Sequence, residues 1–236
     1  MNTAPIMPDP EILTGMELFV GLPQPALTEV MACARLRHLT KNEIVFTQGQ
    51  MAERCHALIA GRIRISQSGE DGAQLVVRFI GPGEMFGTVG LFTNREYPAE
   101  AVAMVESTEI SWTETALLDL IGRHPQIALN IVKIIGTRLW EVQERLRELS
   151  TQRVESRIAR TLLRLAEQAG QADSDGTSID FPLTRKDVAA MCGATLHTAS
   201  RILTGWEKAE LITTNRQRVT IRKLAEIRRI AETAPD

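Results

Sequence analysis

Seven apolar side chains, Ala128, Val132, Ile135, Leu139, Val142, Leu146 and Leu149, recur at intervals of 4, 3, 4, 3, 4 and 3 residues. Only an α-helix gathers that spacing into one stripe, and a stripe held straight over three heptads is the a/d pattern of paired helices. The spacing predicts a long helix over 126–150 whose seam needs a partner. A second copy of the chain is the economical source, because a symmetric pair covers the same patch on both subunits. Val132, Ile135, Leu139, Val142 and Leu146 are the expected dimer interface; packing of the helix on its own β-rich half is the competing use.

The residues before this helix carry a different period. From Leu18 to Trp112 the chain reads as short strand-like runs: Glu43 to Thr47, His56 to Ser66 with Ile63 and Ile65 alternating against Arg62 and Arg64, and Gln74 to Ile80. Turn residues separate them at Gln48-Gly49-Gln50, Gly69 to Gly72 and Gly81-Pro82-Gly83. Many short strands with no helix between them predict a β-roll of the jelly-roll kind. After the long helix, Arg153 to Ala169 reads as an amphipathic helix, and Gly170 to Gly176 as a polar break.

The run from Leu183 to Leu211 spells out two helices and a turn. Thr184 can cap a first helix with Asp187 three residues on, as in a capping box. Gly193 suits the tight turn because glycine tolerates positive φ. Thr195 can cap a second helix in which Ala199, Ile202, Leu203 and Trp206 point inward, while Leu196, His197, Ser200 and Arg201 face out near its start. That exposed first turn is what a recognition helix presents to the major groove. Ile212 to Ile221 alternates around Asn215-Arg216-Gln217 and predicts a β-hairpin, which makes the module a winged helix; Lys223 to Ala231 closes it as a short basic helix.

Charge follows this division. Residues 1–150 carry 13 Lys and Arg against 18 Asp and Glu, whereas 181–223 carry 8 against 3. A basic stripe on a helix-turn-helix suits phosphate contacts, and double-stranded DNA is the partner it implies. Arg185, Lys186, Arg216 and Arg218 are the expected phosphate contacts. Thr195, His197, Thr198, Ser200 and Arg201 are the expected groove contacts, with Arg201 gripping a guanine. The three cysteines, Cys33, Cys55 and Cys192, form no Cys-x-x-Cys pair and read as structural thiols. No apolar stretch approaches a membrane span and the start lacks a signal-peptide pattern, so the sequence predicts a cytoplasmic protein with no membrane partner. Gly81-x-Gly83-x-x-x-Gly87 has Phe86 where a dinucleotide loop needs glycine, and no nucleophile elbow or triad is evident. The sequence therefore supports no enzyme.

Besides this architecture, Gly81-Pro82-Gly83-Glu84-Met85-Phe86-Gly87, Val89-Gly90-Leu91-Phe92, Arg157 to Leu163 and Thr198-Ala199-Ser200-Arg201-Ile202-Leu203 resemble the CRP/FNR family of bacterial transcription regulators, over nearly the whole chain from Leu18. The resemblance implies an α+β protein. It divides into an N-terminal tail at 1–17, an effector-sensing β-roll at 18–125, a dimerisation helix at 126–150 and a winged helix-turn-helix at 151–236. It also implies a homodimer on a palindromic operator, with RNA polymerase as a protein partner. The effector pocket would lie at Gly87, Thr88, Val89, Arg95, Pro98 and Ala99. Members that bind cAMP carry a Glu after that glycine and an Arg-Ser pair further on; here Thr88 and Pro98-Ala99 stand there, which predicts that cAMP is not the effector. The cysteines are too few for an iron–sulfur cluster. Tyr97-Pro98-Ala99-Glu100-Ala101 resembles members tied to nitric-oxide-responsive control of denitrification, which implies haem, with His56 and His38, and after them His124, as axial ligands. A cAMP-dependent regulator and an effector-independent one are the alternatives.

Overall fold

The computed structural model describes residues 8–69, 74–93 and 95–233. They form two compact units, one of residues up to 68 with 78–140 and one of 69–77 with residues from 141 onward. The division falls inside the long helix, whereas the sequence reading made 126–150 a segment of its own.

The first unit opens with a 3-10 turn at Pro10–Gly15, started by the Asp9 carboxylate accepting from the Glu11 amide at 2.9 Å. There follow α1 (Gln24–Ala32), β1 (Arg35–Leu39), β2 (Ile44–Phe46), β3 (Arg54–Ala60), β4 (Ile63–Ser68), β5 (Gln74–Ile80), β6 (Met85–Phe86), α2 (Thr88–Phe92), β7 (Glu100–Ala103), β8 (Ser107–Thr113) and α3 (Glu114–Arg123). The strands make two four-stranded sheets, ordered β1-β8-β3-β6 and β2-β7-β4-β5, which is the expected roll. The run from His56 to Ser66 is not one strand. The chain reverses at Gly61, φ +96°, so β3 pairs with β8 in one sheet and β4 with β7 in the other.

Cys55, Ala57, Ile110 and Trp112 turn one face of the first sheet toward a core shared with Phe19, Val30, Leu117 and Leu120. Trp112 is fully buried, meets Phe19 edge-on at 5.0 Å, and donates its indole N–H to the Val30 carbonyl at 2.9 Å. A buried indole retains its apolar gain only when that N–H is bonded.

The long helix, α4 (Gln126–Thr151), has two working faces. Ile127, Ile131 and Ile134 pack on the roll core. Between them the buried Asn130 donates to the carbonyls of Leu18 and Val20, both at 2.9 Å, and accepts from Gln126 at 3.0 Å. The heptad seam lies on a neighbouring face, about a quarter-turn round the helix, and is exposed from Val132 (67%) to Leu146 (64%).

In the second unit, α5 (Val154–Ala169) buries Ile158, Leu162 and Leu165 on one side. After it come β9 (Gly170–Asp173), β10 (Gly176–Ile179), α6 (Arg185–Met191), α7 (Leu196–Lys208), β11 (Ile212–Asn215), β12 (Arg218–Ile221) and α8 (Leu224–Glu232). The polar break expected at 170–176 is instead the turn side of a hairpin: β9 pairs with β10, and β10 with β12, in a sheet ordered β11-β12-β10-β9. Polar composition misleads there because β9 is an edge strand with a solvated face. The expected hairpin at 212–221 is present, and Arg216 (φ +47°) and Gln217 (φ +67°) give its tip the double positive φ of a type I′ turn.

Candidate nucleic-acid interface and roll interior

Local hydrogen bonds fix both helices of the helix-turn-helix. The Thr184 hydroxyl accepts from the Asp187 amide at 3.1 Å, and the buried Asp187 carboxylate accepts from the Thr184 amide at 3.0 Å, a complete capping box on α6. The Thr195 hydroxyl caps α7 by accepting from the Thr198 amide at 3.1 Å. Gly193 sits between them at φ +59°, and the Arg157 guanidinium ties that turn to α5 by donating to the carbonyls of Cys192 (2.9 Å) and Gly193 (3.4 Å).

Ala199, Leu203 and Trp206 are buried and Ile202 partly so, while Thr195, Leu196, His197 and Arg201 are exposed and Thr198 and Ser200 half-buried. Lys186 on α6 and Arg216 and Arg218 on the wing are exposed as well. Arg185 departs from expectation as a phosphate ligand. Its guanidinium donates to the Ser200 carbonyl (3.1 Å), the Thr204 hydroxyl (2.7 Å) and the Glu207 carboxylate (2.8 Å), which clamps α6 to α7. Its acceptors lie 15 to 22 residues downstream, across the turn, beyond the reach of a local sequence pattern.

The residues expected around an effector are arranged differently. Gly87 precedes α2; Val89 and Pro98 are exposed, Thr88 is half-buried and Ala99 buried. The Arg95 side chain is 74% exposed and lies 3.6 Å from Glu114. The space against Gly87 is filled by side chains that the sequence reading did not assign to the pocket: a Cβ at Gly87 would stand 3.0 Å from His56, 3.1 Å from Phe46 and 3.2 Å from Tyr97. Tyr97 stacks on Phe46 at 3.8 Å and donates its hydroxyl to the Arg54 carbonyl at 2.7 Å. Burial pushes its phenol pKa up, which keeps it the neutral donor. His56, 5% exposed, lies against Phe86, with Nδ1 at 2.9 Å from Glu109 and Nε2 at 3.4 Å from the Tyr97 hydroxyl. The second Glu109 oxygen is 3.8 Å from Arg37.

This arrangement does not fit haem. An axial histidine needs a ring nitrogen facing an open space the size of a macrocycle, and both nitrogens of His56 face protein partners within a packed aromatic group. His38 is exposed and bonded through Nδ1 to the Thr108 hydroxyl at 3.1 Å, and His124 lies 3.1 Å from Glu29. Among the described residues no group of three His, Cys, Asp or Glu side chains could hold a metal ion. The thiols of Cys55, pushed up to about 12 by burial, and Cys192, pushed up for the same reason, are poor nucleophiles.

Comparison with known proteins agrees with both units. Residues 36–124 match the cyclic nucleotide-binding domain family and residues 156–230 the Crp-like helix-turn-helix domain family. The chain is 25% identical over 205 residues to a CRP-like cAMP-activated global transcriptional regulator of Mycobacterium tuberculosis, covering 85% of this chain and 92% of that one. It is 28% identical over 192 residues to the nitrogen fixation regulation protein FixK of Azorhizobium caulinodans, covering 80% and 76%. Its fold matches that of FixK2 from Bradyrhizobium japonicum with a TM-score of 0.74 at 20% identity, over 86% of this chain and 99% of that one. No helix among the described residues is long and apolar enough to cross a membrane. A nucleotide-binding-type roll followed by a capped, basic helix-turn-helix, matched along most of the chain by transcription regulators, makes this protein a DNA-binding transcription regulator of the CRP/FNR family.

Proposed function

We propose that the protein acts as a homodimer whose two winged helices read a palindromic operator, and that cAMP is not its effector. The dimer rests on one observation. The seam of α4 stays exposed from Val132 to Leu149 although a neighbouring face of the same helix is fixed to the roll by Asn130 and Ile127. Burying such a stripe against its copy gains about 25 cal/mol per Å² of apolar area. On each operator half, Arg201, His197, Ser200, Thr195 and Thr198 face the groove, while Lys186, Arg216 and Arg218 contact phosphates. Arg185 acts as the positioning residue between the two helices. RNA polymerase is the protein partner and the cytoplasm the compartment this role requires. Sedimentation velocity at micromolar concentration tests the dimer; a monomer that still bound a palindrome with full affinity would refute it.

The effector reading rests on the roll interior. Phe46, His56, Phe86 and Tyr97 occupy the space beside Gly87, and Thr88 and Ala99 offer neither a carboxylate for a ribose nor a guanidinium for a phosphate. The Mycobacterium tuberculosis relative is cAMP-activated by name; this chain differs from cAMP-binding members at those positions. The filled interior favours the effector-independent alternative over a haem sensor. Titration calorimetry with cAMP and the absorption spectrum after adding haem test both halves of the reading; a micromolar dissociation constant or a Soret shift would overturn it.

A further inference from the structure

The roll interior holds two ionisable side chains with almost no access to water, His56 on β3 at 5% exposure and Glu109 on β8 at 1%. An apolar pair of the same volume would serve the core as well, so stability alone does not account for them. Their hydrogen bonds show where a proton is held. Tyr97 donates its hydroxyl hydrogen to the Arg54 carbonyl at 2.7 Å. A phenol has one such hydrogen, so toward His56 Nε2, 3.4 Å away, its oxygen offers only lone pairs. Nε2 must therefore carry a hydrogen. At the other side of the ring Nδ1 stands 2.9 Å from Glu109, and a second proton lies between these two. Whether that proton sits on nitrogen or on the carboxyl, the pair holds one proton more than a neutral imidazole beside a carboxylate. Around the pair, Arg37 on β1 stands 3.8 Å from the second Glu109 oxygen and bonds Glu43 at 2.7 Å. The Arg54 guanidinium donates to the Ser111 hydroxyl and carbonyl, and Phe46 and Phe86 are uncharged. Cys55, the next residue on β3, turns to the opposite face and its buried thiol stays protonated.

We infer that His56 and Glu109 form a proton site that latches Tyr97 to β3. With the proton in place, the Tyr97 hydroxyl holds the Arg54 carbonyl. When pH rises and this proton passes to water, one hydrogen is left for the two ends of the ring. It stays at Nδ1, where the Glu109 carboxylate accepts it, and Nε2 becomes an acceptor. A bare Nε2 facing the lone pairs of a phenol inside a packed aromatic group is an unsatisfied buried contact. The Tyr97 hydroxyl therefore turns its hydrogen to Nε2 and releases Arg54. The segment entering β7 then loses its side-chain tie to β3 beside Gly87, while its backbone bonds to Gly49 and Gln50 remain. The signal to which this interior answers is a proton, and the latch stands independently of the DNA reading.

Tyr97 is the single tyrosine of the chain and His56 one of four histidines, so NMR reads both directly. Full-length protein, isotope-labelled at the tyrosine ring carbon that bears the hydroxyl and at the imidazole nitrogens, is titrated between about pH 5 and 9, below the range in which a buried phenol ionises. The lone tyrosine signal is expected to shift in one step, at the same midpoint as the nitrogens of one histidine. His56→Gln puts an amide that does not titrate in that place and should leave the tyrosine signal flat. Tyr97→Phe keeps the ring, removes the hydroxyl and should displace the step of that same histidine, which identifies it without altering the pair. A wild-type tyrosine signal that never moves, a step shared with no histidine, a step that survives in His56→Gln, or histidine steps all unchanged in Tyr97→Phe would overturn the latch. None of these outcomes touches the operator contacts, which binding-site selection reads separately.

Discussion

The two units dispose of their polar side chains in opposite ways. In the roll, Glu109, His56 and Tyr97 are buried and meet one another across 41 to 53 residues of sequence, and the half-buried Arg37 approaches Glu109 from further off in the chain. In the helix-turn-helix, the Thr184 and Thr195 hydroxyls and the Asp187 carboxylate serve backbone groups three residues away, Arg185 pairs with Glu207 across the turn, and Lys186, His197, Arg201, Arg216 and Arg218 are left at the surface. The first arrangement satisfies the buried polar groups of the roll with one another. The second leaves a cationic face whose scaffold is complete without a ligand. The difference shows two ways of satisfying polar groups, in a sheet core by partners distant in sequence and at a helix start by partners one turn away.

Substitution can break this contrast at several points. The largest effect is expected at the seam, where Ile135→Asp combined with Val142→Asp places unpaired charges in the interface and raises the dimer dissociation constant at least 100-fold, an effect of about 3–5 kcal/mol. Sedimentation velocity reads it, and operator affinity should fall with it. In the roll, Tyr97→Ala removes a buried ring stacked on Phe46 and is expected to cost about 3 kcal/mol in urea unfolding. A cost below about 1 kcal/mol would mean that the interior is not held by that ring. Arg201→Ala should leave stability within about 0.5 kcal/mol of wild type and lose about 1–3 kcal/mol of preference at one guanine in each half-site, read by binding-site selection. Lys186→Ala should weaken all sequences alike and reduce the salt slope by about 1.

The smallest effect is chemical. Each unit holds one buried thiol, Cys55 in the roll and Cys192 beside the helix-turn-helix, and Cys33 is exposed. Native protein should alkylate rapidly at Cys33 alone, because burial raises the pKa of the other two. A second fast-reacting thiol would show by its position which unit had opened.

The winged helix was legible in sequence because its signals are local. Thr184 with Asp187, Thr195 with Thr198, and Gly193 at the turn each act over a span of one helical turn, so the spacing carries the geometry. The hairpin tip was legible from Asn215-Arg216-Gln217 even without a glycine, because the flanking alternation fixes where the chain must reverse. The roll was legible as a class and not as an interior. Strand-like runs announce sheets, but the pairing of His56 with Glu109 and the stacking of Tyr97 on Phe46 depend on which strands become neighbours, and no local spacing encodes that. The same limit hid the clamp made by Arg185. It also hid the β9–β10 hairpin, whose residues have the composition of a loop.

The grip of Arg185 on α7 falls on the Ser200 carbonyl, the Thr204 hydroxyl and the Glu207 carboxylate. None of these is a side chain that faces the groove. The residues at 196, 197, 200 and 201 can therefore be exchanged without loosening the helix that carries them. A change of operator then needs no compensating repair elsewhere in the fold, and the reading head can be reprogrammed, by mutation in nature or at the bench, as a unit separate from the frame that holds it.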